Sequence, residues 1–219
     1  MEAIYGEDSG FVMPEERSGK SRFMLTTRRI EALADGIFAI AMTLLVLTLT
    51  LPDMAETKLD LSQLLADQWP KFFNYALSFV LLAIFWIVHH QQFHVIRRTD
   101  RGHIWINIGI LMFVALMPFS TDVAGDYSGE TLAELLFSAN LMILGLLFLL
   151  NWWYSCRNHR LVDPDLDRET IAGGIRRNCV IPVVAAISMV LSFFIPRWGL
   201  TAYMLIPIIQ LHPWFRHGD

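Results

Sequence analysis

Glu31 and Asp35 stand at the start of a very apolar stretch. From Arg28 to Leu49 the chain reads RRIEALADGIFAIAMTLLVLTL, two arginines and two carboxylates followed by no further charge until Asp53. An ionisable side chain inside a membrane-length helix is costly, and it persists where it carries ions or protons or ties helices together. A second titratable group, His89, His90 and His94, stands near the end of the next apolar segment. An imidazole there could sense pH, given an unperturbed pKa of ~6.5, or bind a metal, since His90 and His94 at i, i+4 share one helix face. No carboxylate or cysteine completes such a site locally, so no metal is expected. The segment DPDLDRE, Asp163 to Glu169, matches a Ca²⁺ loop only in its acidity and reads as a solvated turn. The chain carries no Gly-rich phosphate loop, nucleophile elbow or HExxH, so neither an enzyme nor a nucleic-acid partner is expected.

The elements that must hold these groups are membrane spans. Of 219 residues 54% are apolar and 17% charged, with a mean hydropathy of +0.44, outside the usual globular range. Six segments reach or approach the roughly 17 to 25 residues that cross a ~30 Å hydrocarbon core. They run about 29–51, 72–96, 104–121, 135–156, 178–195 and 198–215, the last two joined by a tight turn at Pro196 to Gly199. The expected fold is an all-α integral membrane protein, with an N-terminal tail over 1–27 and a six-helix domain over 28–216. Tryptophans near the span ends, Trp69, Trp105, Trp152, Trp153, Trp198 and Trp214, fit aromatic belts.

Lysine and arginine orient these spans. One side of the alternating topology collects Arg17, Lys20, Arg22, Arg28, Arg29, Arg97, Arg98, Arg101, Arg157, Arg160, Arg168, Arg176, Arg177 and Arg216; the other has only Lys58, Lys71 and Arg197. The basic side is cytoplasmic by the positive-inside rule, which places both termini in the cytoplasm and the chain in the cell membrane. The outer loops are acidic, with Asp53, Glu56, Asp60 and Asp67 in one and Asp122, Asp126 and Glu130 in the other. They read first as solvated loops, though an acidic mouth would also concentrate cations. Cys156 and Cys179 fall at cytoplasmic helix ends, where no disulfide is expected. Asn140 and Asn151 in the fourth span read as interhelical hydrogen-bonding groups.

Within the first span, Ile40, Leu44, Leu47 and Leu51 fall on one helical stripe with Thr43 beside it, while Gly36, Ala39, Ala41 and Met42 keep another part of the surface small. Almost any Leu-rich span produces such a stripe, so periodicity alone leaves a packed helix and a pore-lining helix both open. Asp35 lies roughly 9 Å along the helix from Arg29, at ~1.5 Å per residue, and His89 and His90 lie at a similar depth on the antiparallel second span. A carboxylate and a histidine meeting there would clasp two helices together.

Three stretches resemble one known family. Arg29 to Leu47, RIEALADGIFAIAMTLLVL, is similar to the first-helix signature of the transmembrane protein 175 family of potassium channels. FWIVHHQQF, Phe85 to Phe93, is similar to that family's Trp-x-x-His-His stretch, and LMPFST, Leu116 to Thr121, to its Leu-Pro-Phe. The chain departs from the pattern at Leu33-Ala34-Asp35, where the family has Phe-Ser-Asp. The resemblance implies a homotetramer in the lipid bilayer, with a central pore lined by the four first helices and permeant K⁺ in place of a cofactor. It puts an apolar constriction at Ile40, further apolar rings at Leu44 and Leu47, a hydroxyl layer at Thr43, and a structural polar cluster at Arg29, Asp35, Trp86, His89 and His90. Since the chain has no TVGYG filter, a modest K⁺ preference would come from the constriction, where monovalent cations shed part of their water. A proton-coupled transporter and a non-conducting membrane scaffold are the alternatives.

Overall fold

The computed structural model describes residues 27–50 and 60–211. The tail up to residue 26, the outer-loop residues 51–59 and the end of the sixth expected span, from residue 212, lie outside the described residues. The helices are α1 (Thr27–Leu44), prolonged by a 3₁₀ turn at Leu45–Thr48, α2 (Leu61–Asp67), α3 (Trp69–Val95), α4 (Arg101–Asp126), α5 (Thr131–Cys156), α6 (Arg168–Phe194) and α7 (Leu205–Leu211). Five stretches among the described residues are long and apolar enough to cross a membrane, and Gly199–Ile209 forms a shorter sixth. The chain is an all-α, multi-pass membrane protein.

Three features differ from the sequence expectation. The fifth span begins at Arg168, ten residues earlier than hydropathy indicates, because Asp167 caps the helix by accepting from the Thr170 N–H at 2.9 Å and the arginines continue it beyond the apolar window. The same cap gives the acidic DPDLDRE turn a structural role. The sixth span opens as a 3₁₀ segment, Pro196–Met204, and only then becomes α7. Gly199 is a poor α-helix residue, and its carbonyl is held by the Ser188 hydroxyl at 2.9 Å. The first outer loop contains a short helix, α2, capped by Asp60, which accepts from the Leu61 N–H at 2.8 Å.

Apolar packing in a bilayer has little water to exclude, so close contact and interhelical hydrogen bonds must hold the bundle. α5 packs between α4 and α6, and α1 lies on α4 and α3. Gly145 allows α5 to approach α6, since a Cβ there would fall 2.8 Å from the Pro182 ring. Towards the arginine-rich end of the bundle runs a chain of buried amides. Asn107 on α4 donates to Asn151 on α5 at 3.0 Å, Asn151 donates to Gln92 on α3 at 2.7 Å, and Gln92 donates to Asn178 on α6 at 3.0 Å. Its ends are tied off by the His103 and Gly174 carbonyls, at 2.8 and 2.7 Å. Four helices are thereby linked by bonds that are worth about 0.6–1.7 kcal/mol each in membranes. Asn140 makes a separate interhelical bond to Ser120 at 3.1 Å.

At the arginine-rich end the α3–α4 and α5–α6 connections pair with each other. Arg97 and Arg98 donate their backbone N–H groups to the Leu161 carbonyl at 2.9 and 3.2 Å, and the Arg97 side chain meets Asp163 at 3.3 Å. Asp100 anchors the arrangement by capping α4 through the His103 N–H at 2.9 Å while binding Arg160 at 2.8 Å and the Tyr154 hydroxyl at 3.1 Å. Burial alone would raise its carboxyl, but these donors outweigh burial and hold it below the usual carboxylate range. A depressed carboxylate stabilises the fold above its unfolded pKa and loses that effect as pH falls through the folded value. The stability advantage of wild type over Asp100→Asn is therefore expected to be full above about pH 5 and to shrink towards about pH 3, read as the difference in thermal midpoints. An advantage that stays constant over that range would remove the carboxylate charge from the account.

Candidate functional site on the first helix

α1 has two faces that the bundle treats differently. Ile30, Ala34, Phe38, Ala41 and Leu45 are buried at steps of three and four, the spacing of one helical face, and they seat the helix on α3 and α4. The other face carries Leu33, Gly36, Ala39, Ile40, Thr43, Leu44 and Leu47, all exposed within the protomer. Phe38 is 1% exposed, whereas Ile40, two residues on, is 59% exposed and Leu47 67%. Only 28% of the α1 apolar window is buried, against 39 to 50% for the other four long spans.

Two local details shape the exposed face. The Thr43 hydroxyl donates to the Ile40 carbonyl at 2.8 Å, so its proton is committed to the helix and its oxygen remains available only as an acceptor. The final turn, Leu45–Thr48, is 3₁₀ instead of α, with the buried Thr48 hydroxyl bonded to the Leu45 carbonyl at 2.8 Å. Three residues per turn bring Leu47 over Leu44, about 60° from where a continued α-helix would put it. The apolar stripe of Ile40, Leu44 and Leu47 is therefore straighter at its outer end than the sequence period indicates. Leu51 lies outside the described residues.

Below this stripe is a polar cleft of about 270 Å³, lined by Arg28, Glu31, Ala32, Asp35, His89 and His90. Asp35 accepts a hydrogen bond from the Trp86 indole N–H at 2.8 Å, and the Trp86 ring stacks on His90 with centroids 6.2 Å apart. Trp86 and His90, four residues apart on α3, present one face to α1. The geometry corrects the expected cluster in three respects. Asp35 is exposed within the protomer and is partnered by Trp86, not by a histidine. His89, turned about 100° from His90, reaches the cleft wall but is buried, stacking on Phe93 at 4.5 Å and bonding Asn107 at 3.2 Å. Arg29 does not line the cleft, because six residues before Asp35 is the wrong side of the helix; Arg28, seven before, is on the right one. His90 and His94 are both exposed, and the described residues contain no group of three or more side chains able to hold a metal.

The sequence reading missed Gln92, Asn107 and Asn178, the members of the amide chain other than Asn151, and it missed Glu134, a carboxylate only 3% exposed in the first turn of α5. Gln92, Asn107 and Asn178 are polar residues within apolar spans, and that alone marks them for buried partners, whereas Glu134 falls just before the expected fourth span.

Comparison with known proteins bears on this arrangement. Residues 29–118 match the family model described as the endosomal/lysosomal potassium channel TMEM175. A potassium channel of Streptomyces collinus is 36% identical over 143 residues, covering 64% of this chain and 69% of the relative. A potassium channel of Chamaesiphon minutus is 30% identical over 172 residues, covering 76% and 84%. The human endosomal/lysosomal proton channel TMEM175 is 28% identical over 146 residues, which are 29% of its length. In fold, the chain superimposes on the crystal structure of a lysosomal potassium-selective channel TMEM175 homolog from Chamaesiphon minutus with a TM-score of 0.75 at 24% identity, over 85% of this chain and 98% of the other. The chain belongs to the TMEM175 family, a family of ion channels and not of enzymes.

Proposed function

We propose that four copies of the chain assemble in the cell membrane, with both termini cytoplasmic, around a central path for K⁺ lined by α1. The observation that carries this reading is the apolar stripe of Ile40, Leu44 and Leu47, which is long, continuous and left uncovered by the rest of the protomer. The potassium-channel relatives from Streptomyces collinus and Chamaesiphon minutus support the choice of ion. The pairing of the arginine-rich connections at one end of the bundle supports the orientation.

Conduction in this arrangement rests on partial dehydration. A cation passing the Ile40 and Leu44 rings loses water with no carbonyl to replace it, and K⁺ gives up its shell more readily than Na⁺. The Thr43 oxygen, already polarised by donating to the Ile40 carbonyl, offers a substitute ligand between the two rings. Preference by this route is modest. The Asp35–Trp86–His90 contact lies at the entrance below and acts as a clasp between α1 and α3, not as a conducting group.

Two variants separate these roles. Ile40→Asn wets the constriction and is expected to raise single-channel K⁺ conductance by up to about tenfold, equivalent to ~1.4 kcal/mol off the barrier. Unchanged conductance would put the narrow point elsewhere. Trp86→Phe removes the indole donor from a carboxylate that water can reach, so it is expected to cost about 0.5–1.5 kcal/mol of stability and leave the reversal potential and its pH dependence unchanged. A current whose pH dependence shifts in this variant would assign the cluster to sensing.

A further inference from the structure

At the end of the bundle opposite the arginines, the first turns of α3 and α5, the last turn of α4 and the 3₁₀ segment enclose a crevice of about 360 Å³. Its walls are apolar and aromatic, with Trp69, Phe73, Leu200 and Met204 among them, and two buried polar side chains line it. Glu134 is 3% exposed and Asn74 4%. Gly199 lets the 3₁₀ segment close over the carboxylate, since a Cβ at that position would collide with Glu134 Oε2 and the Ser192 hydroxyl.

The polar side chains of this crevice have a defined chemistry. Ser192 donates to Glu134 Oε2 at 2.7 Å, and no other hydrogen bond or ion pair to Glu134 occurs among the described residues. The buried Asn74 amide lines the same crevice as Glu134. Lys71, at the same end of the bundle, is held by Asp126. A carboxylate buried among apolar walls is stabilised by a cation or hydrogen-bond donors, and an amide lining the same crevice can accept one donor more. A volume of this size, lined by an indole and a phenyl ring, suits an apolar body carrying the charge.

We infer that this crevice is a binding site for a primary ammonium on a small apolar body, with the ammonium against Glu134 and Asn74 and the body against Trp69, Phe73 and Met204. A soluble aralkylamine and the headgroup of an ethanolamine lipid both offer that ammonium. The site is separate from the α1 face and does not depend on the proposed conduction path.

The test is binding of phenethylamine to the purified full chain in phosphatidylcholine nanodiscs, compared with its neutral analogue 2-phenylethanol. The expected result is saturable amine binding, with the alcohol about tenfold weaker because the charge-assisted bond is lost. Glu134→Gln should weaken the amine to the level of the alcohol. Should that variant fail to fold, the two ligands on the wild-type chain still decide. Amine binding that weakens when phosphatidylethanolamine is added identifies the lipid as the source of the ammonium; binding that is indifferent to it identifies a soluble amine, and both results support the site. Equal binding of amine and alcohol, or no saturable binding of the amine, overturns it.

Discussion

A helix with one narrow face to bury can leave the opposite face for something else, and the organisation of this channel follows from how α1 divides itself. Phe38, flanked one turn away on either side by Ala34 and Ala41, fills the contact with α3 and α4, and the small residues let the helix lie close. With that seam settled, the stripe at Ile40, Leu44 and Leu47 has to point away from the protomer. Thr43 is exposed on the same side, with its hydroxyl proton used within the helix.

A helix held along one seam needs a firm support. The amide chain through Asn107, Asn151, Gln92 and Asn178 supplies it by joining α3 to α6 with bonds that lipid cannot replace. His89 belongs to this support, packed between aromatic rings and bonded to Asn107. The neighbouring His90 stays on the α1 side with Trp86, so two adjacent histidines serve different surfaces of one helix. At the arginine-rich end, Asp100 fastens the connections of α3, α4, α5 and α6 with one carboxylate.

Much of this was legible in the sequence because bilayer physics writes strong signals. Span number and helical class follow from hydropathy, and the division of arginines matches the pairing of the basic connections. The stripe on α1 was visible as a period, but a period does not say which of several faces the protomer covers. That required the bundle itself. Arg28 could have been chosen over Arg29 by counting seven residues, two turns, back from Asp35. The separation of His89 from His90 could not, since it depends on where Asn107 and Phe148 lie. Glu134 and Asn74 were hidden for another reason. Both sit within a turn or two of a span end, where a polar residue reads as solvated, and it takes the fold to bury them, the 3₁₀ segment closing over Glu134. The same segment was invisible as 3₁₀ because Leu200 to Ile209 is apolar enough to read as a plain helix.

The proposed conduction path requires the exposed face of α1 to border water and not lipid. The most direct test is thiol accessibility in a chain whose two native cysteines, Cys156 and Cys179, are replaced. Single cysteines are placed along α1, and a charged, water-soluble methanethiosulfonate is applied while K⁺ current is recorded. Ile40→Cys, Thr43→Cys, Leu44→Cys and Leu47→Cys are expected to be modified and to lose current, while Ala34→Cys and Ala41→Cys, on the face packed against α3 and α4, are not. Modification of the buried face alone, or of neither face in a conducting channel, would contradict it.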